Sequence, residues 1–282
     1  MVVFQKKADR STATATSMFV RRAITTVTVV PLALWLINRG GLFYFIPLAL
    51  IMSLATIEYA TLLGALGWRL PLWLLLPSVL AQLVAGQWPD LNLFAPALVI
   101  SFMAVVLYTL WGYERRITSS APADWAAMIA GIFLLGWIGG HFFRLRRLDT
   151  MATQWTFLAM LSTWIADSAA YLIGSWKGRR KLAPRLSPNK TVEGYLAGVV
   201  LGTITAVIIA LILALPWPLA LLLGLLISAV SPLGDLGISL LKREAGVKDS
   251  GHMLPGHGGA LDRIDSLLWS VTIAYYVVSF FK

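Results

Sequence analysis

The stretch Ser239-Leu-Leu-Lys242-Arg243-Glu-Ala-Gly-Val-Lys248-Asp249-Ser-Gly-His252-Met-Leu-Pro-Gly-His257-Gly258-Gly259-Ala-Leu-Asp262-Arg263-Ile-Asp265 decides how this chain is read. Acids, bases and two histidines crowd together here, between long apolar runs on either side. Charge is expensive next to lipid, so a membrane protein that concentrates it in one place is set up for chemistry there.

Outward from this stretch the chain is oily. Of its 282 residues, 58% are hydrophobic and 13% charged, and the mean hydropathy is +0.77. Apolar stretches fall at 23–37, 42–64, 70–87, 91–111, 126–143, 152–174, 193–215, 217–238 and 264–281. Runs of about 18 or more apolar residues are the mark of transmembrane helices. The expected fold is therefore all-α, a polytopic integral membrane protein of about nine spans. A soluble all-α protein is the alternative, but a chain of this size could not bury so many apolar faces. Pro216-Trp217-Pro218, between the seventh and eighth stretches, is the sharpest break. The polar, basic N-terminus is followed by no clear cleavage site, so the first stretch is read as a retained span. The chain has no cysteine, which excludes disulfides and thiolate chemistry.

The net charge of +10 invites a nucleic-acid reading. The bases, however, sit in short loops between apolar runs, as in cytoplasmic loops facing anionic headgroups. No nucleic-acid partner is expected. With the N-terminus inside and nine spans, 18 of the 23 Lys and Arg residues fall on the inside. They include Lys6, Lys7, Arg10, Arg21, Arg22, Arg69, Arg115, Arg116, the cluster from Lys177 to Lys190, and Lys242 to Arg263. The patch Arg144, Arg146, Arg147 is the misfit. Seven of the thirteen acids lie in the last 116 residues. The division expected is scaffold helices over 1–150 and a catalytic part over 151–282, with the C-terminal helices carrying the site.

Three polar groups of residues can do chemistry. Asp167 and Tyr171 are four apart on the sixth span and share a helix face. They suit either a site or a helix–helix hydrogen bond. Gly174 and Gly178 suit helix packing or helix termination equally. In Ser187-Pro-Asn-Lys190-Thr191-Val-Glu193-Gly194, Ser187 or Thr191 could cap the next helix, and Lys190 beside free N–H groups would cradle a phosphate. An ordinary capped basic loop is the alternative. In the third group, Asp235 ends the eighth span, while Asp262 and Asp265 are three apart on one face of the last. Carboxylates from two helices suit a hard cation such as Mg²⁺ completed by substrate phosphates. The absence of cysteine and the spacing of His252 and His257 argue against zinc. Gly256, Gly258 and Gly259 permit close backbone approach, and Lys242, Arg243, Lys248 and Arg263 can neutralise phosphoryl oxygens. A solvated loop with salt bridges to Asp249 and Asp265 is the plain alternative. Together these features read as metal-assisted phosphoryl or nucleotidyl transfer at a membrane surface. The residues alone name neither nucleotide nor lipid.

The opening stretch closely resembles the signature of the phosphatidate cytidylyltransferases, or CDP-diacylglycerol synthases. Its elements are Ser-x-aliphatic-Lys-Arg, Lys-Asp, His-Gly-Gly and Asp-Arg-x-Asp, present here as Ser239, Lys242, Arg243, Lys248, Asp249, His257, Gly258, Gly259, Asp262, Arg263 and Asp265. Asp167…Tyr171…Gly174 and Ser187-Pro-x-Lys-Thr-x-Glu-Gly194 look like further family blocks. The likeness covers about residues 160–270. It departs at Ala260 and Val192, where the family has larger or aromatic residues.

The resemblance implies the reaction CTP + phosphatidate → CDP-diacylglycerol + pyrophosphate, at the cytoplasmic face of a bacterial inner membrane, with membrane lipids as surroundings. It implies Mg²⁺ on Asp235 and Asp262, alone or beside a second cation. Lys242, Arg243, Lys248 and Arg263 would then hold phosphates, with Asp249 and Asp265 completing the catalytic set. Asp167, Ser187, Lys190, Thr191, Glu193, Ser239, His257, Gly258 and Gly259 would line the substrate side, and a homodimer is the family expectation. A relative acting on another lipid phosphate is the nearest alternative. The Asp-Gly-x-x-Ala-Arg core of CDP-alcohol phosphotransferases is absent. A transporter is disfavoured by the lack of repeats and the one-sided charge.

Overall fold

The computed structural model describes residues 30–148, 151–251 and 258–281. Lys6, Lys7, Arg10, Arg21, Arg22, His252, Gly256 and His257 lie outside the described residues. So does the beginning of the first apolar stretch, which is helical from residue 30 as α1 (30–39). The helices α2 (Gly41–Gly64), α3 (Leu72–Gln87) and α4 (Phe94–Glu114) follow. Then come α5 (Ala121–Gly131), a π-helical segment (Ile132–Ile138) and α6 (Gly139–Arg146), which form one continuous helix. The rest is α7 (Ala152–Lys177), β1 (Lys181–Ala183), β2 (Ser187–Thr191), α8 (Val192–Ile212), α9 (Trp217–Val230), α10 (Pro232–Glu244) and α11 (Leu261–Phe280). Among the described residues, each of the nine apolar stretches thus corresponds to helix.

The chain divides into two compact units, residues 1–44 and 45–282. In the described part of the first, Trp35 meets Phe43 edge to face and the Arg39 guanidinium lies over the Trp35 ring. The second holds all later elements. Among the described residues six helices are long and apolar enough to cross a membrane: α2, α4, α5 through α6, α7, α8, and α9 through α10. This is an all-helical polytopic membrane architecture, apart from one small hairpin. The helix α3 is shorter. The helix α11 is polar at its start, and many of its side chains are buried.

Small residues bring the helices together. The buried positions of α8 are Gly194, Gly198, Gly202, Ala206 and Ala210, a ridge repeating every fourth residue. A Cβ on Gly194 would lie 2.5 Å from the Ala170 carbonyl oxygen, and one on Gly198 2.8 Å from that of Ala166. The backbones of α7 and α8 therefore touch, the usual way apolar helices associate where water supplies no driving force. Gly174 belongs to this seam, facing Thr191 and Gly194, while Gly178 ends α7 as its C-cap. The Pro216 break separates α8 from α9, with Pro216 as N-cap.

One of the three misfit bases, Arg144, has a physical explanation. Arg144 is half-buried, its guanidinium stacked 4.5 Å from the ring centres of both Phe94 and Tyr275. Such aromatic stacking suits a partly desolvated arginine and is no signature of a loop facing anionic lipid.

Candidate active site

The site is built on α10 and α11. After Ser231, Pro232 starts α10 at a position where a missing N–H costs nothing. The new helix places Asp235, Ser239 and Lys242 at spacings of four and three, on one face. Ser239 Oγ donates to Asp235 Oδ1 at 3.2 Å, and Lys242 Nζ meets Asp262 Oδ1 at 2.5 Å. The α10 face is thereby tied to the first turn of α11.

Asp262 is the most heavily bonded of these groups. Its Oδ2 accepts from Ser250 N at 2.9 Å, Ser250 Oγ at 3.0 Å and Gly259 N at 3.1 Å. Asp262 precedes the apolar stretch 264–281. Burial opposes its ionisation, but Lys242 and the N–H groups of Ser250 and Gly259 outweigh that and hold its carboxyl below the usual carboxylate range. Gly258 takes φ +73°, a conformation that an L side chain resists, and this turns the chain into α11. Asp265, one turn on, is buried and accepts from Ser266 N at 2.6 Å.

The second polar block departs from the expected loop. Residues 181–191 form an antiparallel hairpin, with Lys181 opposite Thr191 and Ala183 opposite Ser187. Thr191 caps α8: its hydroxyl accepts from Gly194 N at 3.2 Å. Glu193 accepts from Arg179 N at 2.9 Å and Arg180 N at 3.2 Å, fixing the link between α7 and β1. Arg243 donates to the carbonyls of Leu186 and Val247 at 3.1 Å, pinning the hairpin to the end of α10. Lys190 reaches Asp235 Oδ2 at 2.5 Å.

Asp167 joins this assembly from α7. The charges of Lys190 and Asp235 act on it, and those of Asp235, Asp167 and Lys242 act on Asp265. Asp167, Lys190, Asp235, Ser239, Lys242, Asp262 and Asp265 are thus brought together from α7, β2, α10 and α11. Asp167 is exposed. Its helix neighbour Tyr171 is 68% exposed, and among the described residues makes no hydrogen bond to it. Ser187 closes the turn of the hairpin, while Lys248 and Asp249 sit on exposed loop after α10. Arg263 is exposed on the first turn of α11. The ion pairs pictured for a plain loop, to Asp249 and Asp265, do not form among the described residues. The pairs that do form there are Lys190–Asp235 and Lys242–Asp262.

One residue escaped the sequence reading. Glu58 of α2 is 4% exposed and accepts from Ser250 Oγ, Ala260 N and Leu261 N, each at 2.9 Å. The available signal was a lone acid in an otherwise uncharged apolar helix, which by default calls for a functional hypothesis.

Among the described residues, no three carboxylate or imidazole groups close into a cage for an ion. Paired carboxylates backed by further acids are still the donor set of Mg²⁺, which is bound through one or two carboxylates with phosphates and waters completing its shell. Asp235 and Asp262 each hold an ammonium group at 2.5 Å, so each turns a carboxylate oxygen toward positive charge. The residues present fit the ion.

The chain matches the model of the cytidylyltransferase family over residues 20–281. It is 33% identical to the phosphatidate cytidylyltransferase of Synechocystis sp., covering 92% of this chain and 96% of that protein. It is 34% identical to the phosphatidate cytidylyltransferase of Bacillus subtilis, over 82% and 84%. Against the uncharacterized protein YnbB of Escherichia coli it is 37% identical, over 82% and 78%. Likeness on this scale, running through helices and hairpin as well as the polar cluster, makes the chain a member of the cytidylyltransferase family.

Proposed function

We propose that the chain is a phosphatidate cytidylyltransferase, converting CTP and phosphatidate to CDP-diacylglycerol and pyrophosphate. The observation that carries this reading is the meeting of carboxylates from α7, α10 and α11 with Lys190 and Lys242 inside an apolar helical bundle. Few tasks other than joining a charged nucleotide to a lipid phosphate need so much charge so close to lipid.

In this proposal a phosphatidate phosphate oxygen attacks the α-phosphorus of CTP. A new P–O bond forms there as the bond to the bridging β-phosphate oxygen breaks, and pyrophosphate leaves. The electron pair departs with pyrophosphate, so no protein nucleophile is required. Positioning and charge neutralisation supply most of the rate in such reactions. Lys190 and Lys242 face the reacting phosphates, with Lys248 and Arg263 at the open edge. Arg243, Glu193 and Thr191 act one step back, holding the hairpin so that Lys190 stays on Asp235. Asp235 and Asp262 would hold Mg²⁺, alone or beside a second cation, with Asp167 and Asp265 next to them. Bound there, the ion would neutralise phosphate charge and orient the triphosphate. Ser239 orients Asp235, and Gly258 and Gly259 let the backbone turn closely around Asp262. His257 and Asp249 complete the set assigned from the family signature.

The proposal includes nine spans: the six longer apolar helices together with α1, α3 and α11. It places the site at the cytoplasmic face of a bacterial inner membrane, residues 151–282 as the catalytic part and 1–150 as scaffold, and a homodimer on family grounds. The test is the purified full chain in detergent with labelled CTP, phosphatidate and Mg²⁺. Labelled CDP-lipid and pyrophosphate in equal amounts, lost on chelation, are expected. Absence of both products from a folded preparation overturns the reading; product with a different lipid phosphate alone changes the substrate.

A further inference from the structure

We infer that Glu58 is a positioning residue for Asp262, setting which carboxylate oxygen that aspartate presents to a divalent cation; this rests on the proposed function above. A buried carboxylate is strongly unfavourable unless its charge is compensated. Among the described residues Glu58 has no basic partner. Its compensation comes from the Ser250 hydroxyl and from the backbone N–H groups of Ala260 and Leu261. Those N–H groups open α11, where helices leave donors unsatisfied and favour negative charge. Glu58 therefore caps a helix more than 200 residues away in sequence, at a separation of 202 from Ala260 and 203 from Leu261.

The same contacts reach Asp262. Ser250 Oγ lies 2.9 Å from Glu58 Oε2 and 3.0 Å from Asp262 Oδ2, so one hydroxyl proton serves two carboxylates. Ser250 N and Gly259 N complete the shell of Oδ2. With Oδ2 held this way, Oδ1 is the atom turned to Lys242 and the charge cluster. The glycines on either side follow from this arrangement. A Cβ on Gly251 would lie 2.5 Å from Glu58 Oε1, and one on Gly259 would overlap Ser250 Oγ and Glu58 Oε2. An aspartate held through a hydrogen-bonded outer shell binds a cation in one geometry. Loss of such a support typically costs about 10–100-fold in metal affinity or activity.

The test uses Glu58→Gln and Ser250→Ala in the full chain, purified in detergent. The amide keeps the shape of Glu58 but turns one acceptor into a donor that faces N–H or O–H groups. Ser250→Ala removes the bridging hydroxyl and leaves the backbone N–H in place. Mn²⁺ binding followed by electron paramagnetic resonance reads the site without turnover, and the Mg²⁺ concentration for half-maximal CDP-lipid synthesis reads it with turnover. Glu58→Gln should weaken Mn²⁺ binding by about 10-fold or more and raise the Mg²⁺ requirement in parallel, with Ser250→Ala shifting both the same way by less. A purely structural role would lower the folded fraction and leave both cation midpoints where they were. Unchanged midpoints in folded Glu58→Gln overturn the inference. Where that variant does not fold, unchanged midpoints in Ser250→Ala do the same. A wild-type chain that binds no Mn²⁺ also overturns it. Mn²⁺ binding that weakens in the variants of a chain unable to make CDP-lipid supports the inference while removing the proposed reaction.

Discussion

The two lysine–carboxylate pairs of the site differ in how much water they keep. The side chains of Lys190 and Asp235 are 27% and 33% exposed, while those of Lys242 and Asp262 are 10% and 13% exposed. Breaking a well-hydrated pair costs at most about 1 kcal/mol, whereas stranding one charge of a buried pair costs about 3–5 kcal/mol. Asp235→Asn should therefore fold like the parent, and Asp262→Asn should lose about 3 kcal/mol of stability by leaving Lys242 unpaired. Both should lose turnover, by about 10³-fold if each aids charge neutralisation in the reaction. Thermal unfolding in detergent alongside CDP-lipid synthesis separates the effects, and full activity in either variant removes that aspartate from the chemistry. Asp262 was legible in sequence because it stands in a dense polar motif, and Asp235 because it is a lone carboxylate at the end of an apolar stretch. Glu58 was not, because its partners are up to 203 positions away and nothing local marks what it touches.

At the scale of the element, the α7–α8 seam and the hairpin between them act as one piece. Gly202 sits where a Cβ would lie 2.8 Å from Ala166 Cβ and overlap Ser228 Oγ. A Cβ added to Gly112 of α4 would meet nothing within 4 Å. Gly202→Ala should cost about 1–3 kcal/mol through overpacking. Gly112→Ala should be neutral or stabilising by up to about 1 kcal/mol, since a helical glycine is replaced with a better helix former. Unfolding of the two variants in detergent checks the contrast, and equal effects would mean that the seam is not closely packed. The existence of these helices was plain from apolar runs. The hairpin was not, because Ser187-Pro188-Asn189 carries turn residues and no alternation of apolar and polar side chains. Its strands are held instead from outside, by Glu193 and Arg243.

For the whole molecule, the distribution of Lys and Arg predicts that the hairpin tip and the turn before α4 face opposite sides of the membrane. The chain lacks cysteine, so a single introduced thiol reports cleanly. Arg185→Cys should react with an impermeant maleimide only from the cytoplasmic side, and Asn92→Cys only from the other; both residues are exposed. Labelling of Arg185→Cys from outside overturns the orientation. The helices themselves could be read in sequence, because hydropathy acts along the chain. Arg144 misled the reading of basic loops because its setting between Phe94 and Tyr275 is a matter of packing. The polar start and buried sides of α11 carry a consequence for assembly. Lipid stabilises the longer apolar helices individually, but a helix bearing Asp262, Arg263 and Asp265 gains its stability from protein neighbours. Its docking belongs to the second stage of membrane folding, after the other helices have inserted. The enzyme would then switch on late in its biogenesis, and half-built copies would leave the nucleotide pool untouched.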